Sequence, residues 1–120
     1  MKIKVYDSEL KIMEFLWRDG DLTAGQLAKL LKEETGWNRN TTYTVIKKLV
    51  EKKAVERIEP HFICRALITK EQVQQHEAEA LGNKLFDGSA DAFLSAFLSG
   101  KKLTDDEVSR LKHLVESLDA

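Results

Sequence analysis

A single cysteine, Cys64, stands in the 120 residues. No disulfide can close within the chain, and no all-cysteine metal site can form in it. No uninterrupted apolar run reaches membrane-spanning length, so no membrane insertion is expected. Acidic and polar residues interrupt any signal-peptide core behind the amino-terminal lysines, which makes a cytoplasmic location the default expectation. His61, His76 and His113 are far apart in sequence, without metal-binding spacing. Gly88-Ser89 lacks the surrounding glycines and lysine of a phosphate-binding loop. Ser8, Ser95 and Ser99 have no accompanying base and orienting group. There is no internal repeat and no low-complexity linker. These absences leave no enzyme, no cofactor and no metal site to expect.

The charge is nearly balanced, with 19 basic and 20 acidic residues. Its distribution is uneven. Residues 1–69 carry 13 basic and 10 acidic side chains, and residues 70–120 carry 6 and 10. Within Trp37–Lys53, five cations (Arg39, Lys47, Lys48, Lys52, Lys53) face Glu51 alone. A positive stretch this compact suits phosphate, whereas the acidic half suits a contact with another protein chain.

Hydrophobic periodicity predicts a first helix over Val5–Trp17, capped by Asp7 or Ser8 and ended by Gly20. Thr23 with Gln26 forms a capping-box pattern for a second helix ending near Thr35–Gly36, with Leu22 and Leu27 placed as a hydrophobic staple. Asn38 or Asn40 caps a third, whose buried face is Val45, Ile46, Leu49 and Val50. Ala54–Glu59 and Phe62–Ile68 alternate and read as a hairpin with a compact turn. Further helices start at Thr69, Ser89 and Thr104.

The fold class expected is mainly α: a winged helix-turn-helix of three helices plus a β-hairpin, then a helical dimerisation module. The domains expected are 1–69 for DNA binding and 70–120 for dimerisation. The third helix would enter the major groove. Its DNA-binding candidates are Arg39, Asn40, Thr41, Thr42, Tyr43, Lys47 and Lys48, with Arg57 and Arg65 on the hairpin. Arginine suits guanine, asparagine suits adenine, and lysine suits phosphate. Dimerisation is assigned to Val73, Leu81, Leu85, Phe86, Phe93, Leu94, Phe97, Leu98, Leu111, Leu114 and Leu118, because three short helices carrying this much apolar surface need a partner. Cys64 is expected to be a buried thiol. Trp17 and Trp37 are expected in or near the core. The rival reading is a winged-helix protein-interaction module without operator binding.

Six segments then carry a resemblance. They are SELKIMEFLW at Ser8–Trp17, LTAGQLAKLL at Leu22–Leu31, NTTYTVIKKLVEKKAVER at Asn40–Arg57, FICRALITKE at Phe62–Glu71, LFDGSADAFLSAFL at Leu85–Leu98 and LTDDEVSRLKHLVESL at Leu103–Leu118. In this order they resemble the penicillinase-repressor family, which includes repressors of beta-lactamase and methicillin-resistance genes and copper-responsive repressors. The resemblance implies a homodimeric transcriptional repressor that binds operator double-stranded DNA. It places the family's threonine pair at Thr41 and Thr42. It also implies a membrane sensor-protease pathway that leads to cleavage in the dimerisation module. The corresponding bond is Ala96–Phe97, where the phenylalanine matches the family pattern and the asparagine does not. The cysteine-rich copper motif is lacking. The wing turn Glu59-Pro60-His61-Phe62 is shorter than the family tendency and lacks its glycine and basic residues. Cys64 stands where tyrosine is frequent.

Overall fold

The computed structural model describes residues 4–118. Among them are α1 (Asp7–Asp19), β1 (Leu22–Thr23), α2 (Ala24–Thr35), α3 (Arg39–Glu51), β2 (Val55–Ile58), β3 (Ile63–Ala66), α4 (Lys70–Phe86), α5 (Ala90–Leu98) and α6 (Asp105–Ser117). The mainly helical class with a small antiparallel hairpin among the helices is the one read from sequence. Among the described residues no helix is long and apolar enough to cross a membrane.

Helix boundaries follow local hydrogen bonding. The Thr23 hydroxyl accepts from the Gln26 amide at 3.1 Å, and the Thr23 amide donates to the Gln26 side chain at 2.8 Å. The same reciprocal pair joins Thr69 to Gln72 and Thr104 to Glu107. Each pair satisfies two amides that a helix start leaves unpaired. Hydrogen bonds from Thr104 hold the Glu107 carboxyl below its ordinary range. Asn38, not Asn40, caps α3 by accepting from the Thr41 amide at 2.8 Å.

The start of α1 departs from expectation. Tyr6 is the cap residue, rather than Asp7 or Ser8, and the helix runs two residues beyond Trp17. Glu9 decides this. Its carboxylate accepts the Tyr6 amide at 2.9 Å and Lys52 Nζ at 2.7 Å while only 2% of the residue is exposed. A charge buried this deeply needs a partner, and Lys52 arrives from the end of α3.

The sheet has strand order β1-β3-β2, all antiparallel. β1 was not foreseen. Thr23 both caps α2 and pairs with Ile63, and Leu22 pairs with Cys64. The wing turn is tied to α2 because the Ala24 amide donates to the Phe62 carbonyl at 2.9 Å.

Two compact units divide the chain, Met1–Leu81 and Gly82–Ala120. The division falls later than the Thr69 boundary drawn from sequence, because Val73 in the first turns of α4 is buried in the amino-terminal core. That core holds Ile12, Met13, Leu27, Leu31, Ile46, Leu49, Val55 and Cys64 among its fully buried side chains. Trp17 packs against its edge and donates from Nε1 to the Ile68 carbonyl at 2.9 Å. Trp37 also packs at the edge. In the second unit α5 and α6 bury no side chain. Phe86 and Phe93 meet there with ring centroids 5.3 Å apart.

Candidate nucleic-acid interface

The phase of α3 determines what its outer face presents. Thr42, Val45, Ile46 and Leu49 are its buried residues, at the three-and-four spacing of one helix face. Arg39, Asn40, Thr41, Thr44, Lys47 and Lys48 are exposed. The outer face therefore carries three cations and a row of hydrogen-bonding groups. It begins at a helix amino terminus, where the helix field already favours an anion. A cation in the first turn of a helix works against that field. Arg39 is therefore poorly placed for helix stability and well placed to meet phosphate or a base edge.

Thr42 is corrected. It is fully buried, at 0% exposure, and its hydroxyl has no hydrogen-bond partner among the described residues. It cannot present itself to a groove. Thr44, which sequence reasoning missed, takes the outward position, with its hydroxyl donating to the Asn40 carbonyl at 2.9 Å. A helical wheel anchored on Val45, Ile46 and Leu49 would have found it. Thr42→Val keeps the β-branched shape and removes an unpaired polar group whose burial costs about 1–3 kcal/mol. It is expected to raise the urea midpoint and leave DNA affinity unchanged; a lower midpoint would reject this account.

The other candidates are placed as follows. Tyr43 is half-buried and receives a hydrogen bond from Arg39 Nη2 at 2.8 Å. The same guanidinium reaches toward the start of α2: a Cβ added to Gly25 would lie 3.9 Å from Arg39 Nη2. Lys47 and Lys48 stand exposed. Lys52, counted in the basic stretch, is spent on Glu9 and on the Lys4 carbonyl. On the hairpin, Arg57 pairs with Glu59 and lies over the Phe62 ring at 3.6 Å. Arg65 pairs with Asp21 at 2.8 Å. Both wing arginines thus reach the surface already facing a carboxylate. A cleft of about 790 Å³ lined by Leu10, Glu14, Trp17, Arg18, Glu34 and Lys70, among others, includes no outer-face residue of α3.

Cys64 is fully buried in β3 opposite Arg57. Burial pushes its thiol from 9.0 up to about 11, and the Arg57 charge opposes only part of this. The thiol is therefore a packing group, not a nucleophile. Below pH 9 both folded and unfolded thiols are protonated, and the stabilisation is complete. Between about 9 and 11 the unfolded thiol ionises first, so stability falls as pH rises. The loss is up to about 2–3 kcal/mol. The stability difference between wild type and Cys64→Ala should shrink across that window; a constant difference would exclude the shift.

Of the expected dimerisation residues, Leu81, Leu85, Leu94, Phe97, Leu114 and Leu118 are exposed. Val115, absent from that set, joins them. Phe86, Phe93, Leu98 and Leu111 are half-buried, and Val73 lies in the amino-terminal core. Ala96 and Phe97 are both exposed within α5.

Three helices, the third with a basic outer face, and a hairpin tied to the start of the second define a winged helix-turn-helix protein. The penicillinase-repressor profile matches residues 6–117. The chain belongs to the penicillinase-repressor family, whose members are DNA-binding repressors rather than enzymes. The methicillin resistance regulatory protein MecI of Staphylococcus aureus (strain N315) is 18% identical over 114 residues, covering 93% of each chain. The solution structure of the DNA-binding domain of the repressor BlaI aligns with a TM-score of 0.53 and 23% identity, over 58% of this chain and 90% of that one. The Bacillus licheniformis BlaI monomeric form in complex with the blaP half-operator aligns at 0.51 and 20%, over 59% and 89%. At these identities the likeness to the solved structures concerns the fold. Among the described residues no group of three or more His, Cys, Asp or Glu side chains could hold a metal ion.

Proposed function

We propose that the chain is a sequence-specific transcriptional repressor that binds an operator inverted repeat as a homodimer. The observation that carries this reading is the outer face of α3, where Arg39, Asn40, Thr41, Thr44, Lys47 and Lys48 stand exposed together. With α3 in the major groove, Arg39 and Asn40 reach base edges, and Lys47 and Lys48 neutralise phosphates. The wing contributes through Arg57, with a phosphate replacing Glu59 as its partner. Arg65 has the same option against Asp21.

One such module makes a small interface, and two half-sites read together give the larger one. The segment 70–120 supplies the second contact in this reading, through the exposed apolar residues of α4, α5 and α6. The MecI and BlaI relatives are named as regulators or repressors, which favours the same role here. Induction through a membrane sensor-protease pathway, ending in cleavage at Ala96–Phe97, fits the exposure of that bond.

The test is binding to the DNA upstream of its own gene against a scrambled duplex, at two salt concentrations. The expected result is a footprint on an inverted repeat that weakens with salt, the log-log slope steepening by roughly 0.9 for each neutralised phosphate. Equal binding to both duplexes would reject sequence-specific repression. Binding to neither at low salt would leave a protein-interaction module.

A further inference from the structure

We propose that Tyr43 and Phe62 are positioning residues that clamp Arg39 of α3 and Arg57 of the wing into one pre-ordered pair. The proposal rests on the DNA-binding reading and deepens it.

Four side chains form a continuous run from the first residue of α3 to β2. The Arg39 guanidinium lies 4.9 Å from the Tyr43 ring centre, and its Nη2 donates to the Tyr43 hydroxyl at 2.8 Å. The Tyr43 and Phe62 rings meet edge to face, with centroids 5.7 Å apart at 85°. The Arg57 guanidinium covers the Phe62 ring at 3.6 Å, with Glu59 as its ionic partner. Edge-to-face rings and guanidinium stacking are attractive and directional, so the run fixes the angle of each member.

The backbone gives an independent sign. Phe62 has a φ of 50°, in the left-handed region where a bulky side chain is disfavoured. Glycine or asparagine would take this turn position with less strain. A phenylalanine held there marks a place where the ring is needed despite its backbone. The Phe62 carbonyl is also held by the Ala24 amide, so the ring is carried on a fixed turn.

The consequence lies in the entropy of binding. Arginine has many rotamers, and ordering one at an interface lowers affinity. Here both arginines are ordered before DNA arrives. The guanidinium of Arg39 uses one of its five hydrogens on Tyr43, and its remaining fork can meet guanine O6 and N7. Because the two aromatic rings touch, helix and wing are coupled in orientation, and a displaced wing would misplace Arg39.

The experiment is a pair of double-mutant cycles in the full chain, Arg39→Ala with Tyr43→Leu and Arg57→Ala with Phe62→Leu. The first is read as the preference for operator over scrambled duplex and the second as operator affinity, since Arg57 meets phosphate, each alongside the melting temperature. The expected result is that Tyr43→Leu lowers the preference, and Phe62→Leu the operator affinity, each roughly 2- to 10-fold. Each arginine substitution then costs little in the background that has lost its ring. A purely structural role would move the melting temperature and leave the arginine effects intact. Tyr43→Phe keeps both ring contacts, removes only the hydroxyl, and covers the case in which a leucine variant does not fold; a smaller loss of preference is expected from it. If the arginine effects persist undiminished in the ring variants, or if Tyr43→Phe prefers the operator as strongly as wild type, the clamp is overturned while the repressor reading stands. If wild type itself shows no preference, the repressor reading fails and the clamp with it.

Discussion

Replacing Leu85 and Phe97 together by glutamate is expected to leave the chain monomeric and to lower operator affinity by roughly 10²- to 10⁴-fold. Leu85 is 64% exposed and Phe97 60% exposed in the single chain. Neither side chain contributes much to the folding of its own protomer, so a charge at either site costs the isolated chain little. Their cost falls on whatever covers them. Leu94, Leu114, Val115 and Leu118 are similarly uncovered, with Leu118 at 74%. Each large apolar side chain yields about 1.5–3 kcal/mol on complete burial, so leaving this set in water forgoes a large driving force. A second copy of the same surface is the symmetric way to recover it. The affinity effect follows from linkage: with one half-site bound, the partner's recognition helix is held near the other at high effective concentration. Sedimentation gives the mass and footprinting gives the affinity. A variant that stays dimeric would move the interface elsewhere. A monomer with full affinity would remove the need for two half-sites.

The second large effect separates the two faces of α3 at adjacent positions. Ile46→Ala is expected to cost about 2–5 kcal/mol of stability, because Ile46 is fully buried and its truncation leaves a cavity. Against the usual total of about 5–15 kcal/mol, that is a substantial part of the folding free energy. Lys47→Ala, one residue on and exposed, is expected to change stability by less than about 0.5 kcal/mol. It should instead flatten the salt dependence of DNA binding by roughly 0.9, the contribution of one phosphate. Urea unfolding and salt titration on the two variants decide the matter. If Lys47→Ala destabilises and Ile46→Ala does not, the helix is rotated from the phase described above.

The local features were legible in the sequence because their causes are local. The pairs Thr23 with Gln26, Thr69 with Gln72 and Thr104 with Glu107 lie three residues apart, and the structure shows each as a reciprocal cap. Ser89 caps α5 as expected, through the Ala92 amide. Alternation in 54–68 announced the hairpin, and β2 and β3 fall inside the two runs. The basic stretch and the polar start of α3 were visible as composition.

What escaped sequence reasoning depended on partners distant along the chain. β1 is two residues long and has no periodicity of its own; it exists because β3 lies beside it. The cap of α1 moved to Tyr6 because Glu9 is drawn inward to Lys52, 43 residues away. The same contact removed Lys52 from the outward charge. Thr42 and Thr44 differ by two positions and look alike in sequence, yet packing against α1 and α2 turns one into the core and the other to solvent. The helices, the caps of α2, α4, α5 and α6, the hairpin and the family could be read from sequence, since these arise from neighbours or from ordered motifs. Packing of the whole chain settles which charges remain outside, which threonine faces outward, and that Arg39 and Arg57 are joined through two aromatic rings. Those outcomes depend on the burial of particular groups, and burial is a property of the packed chain.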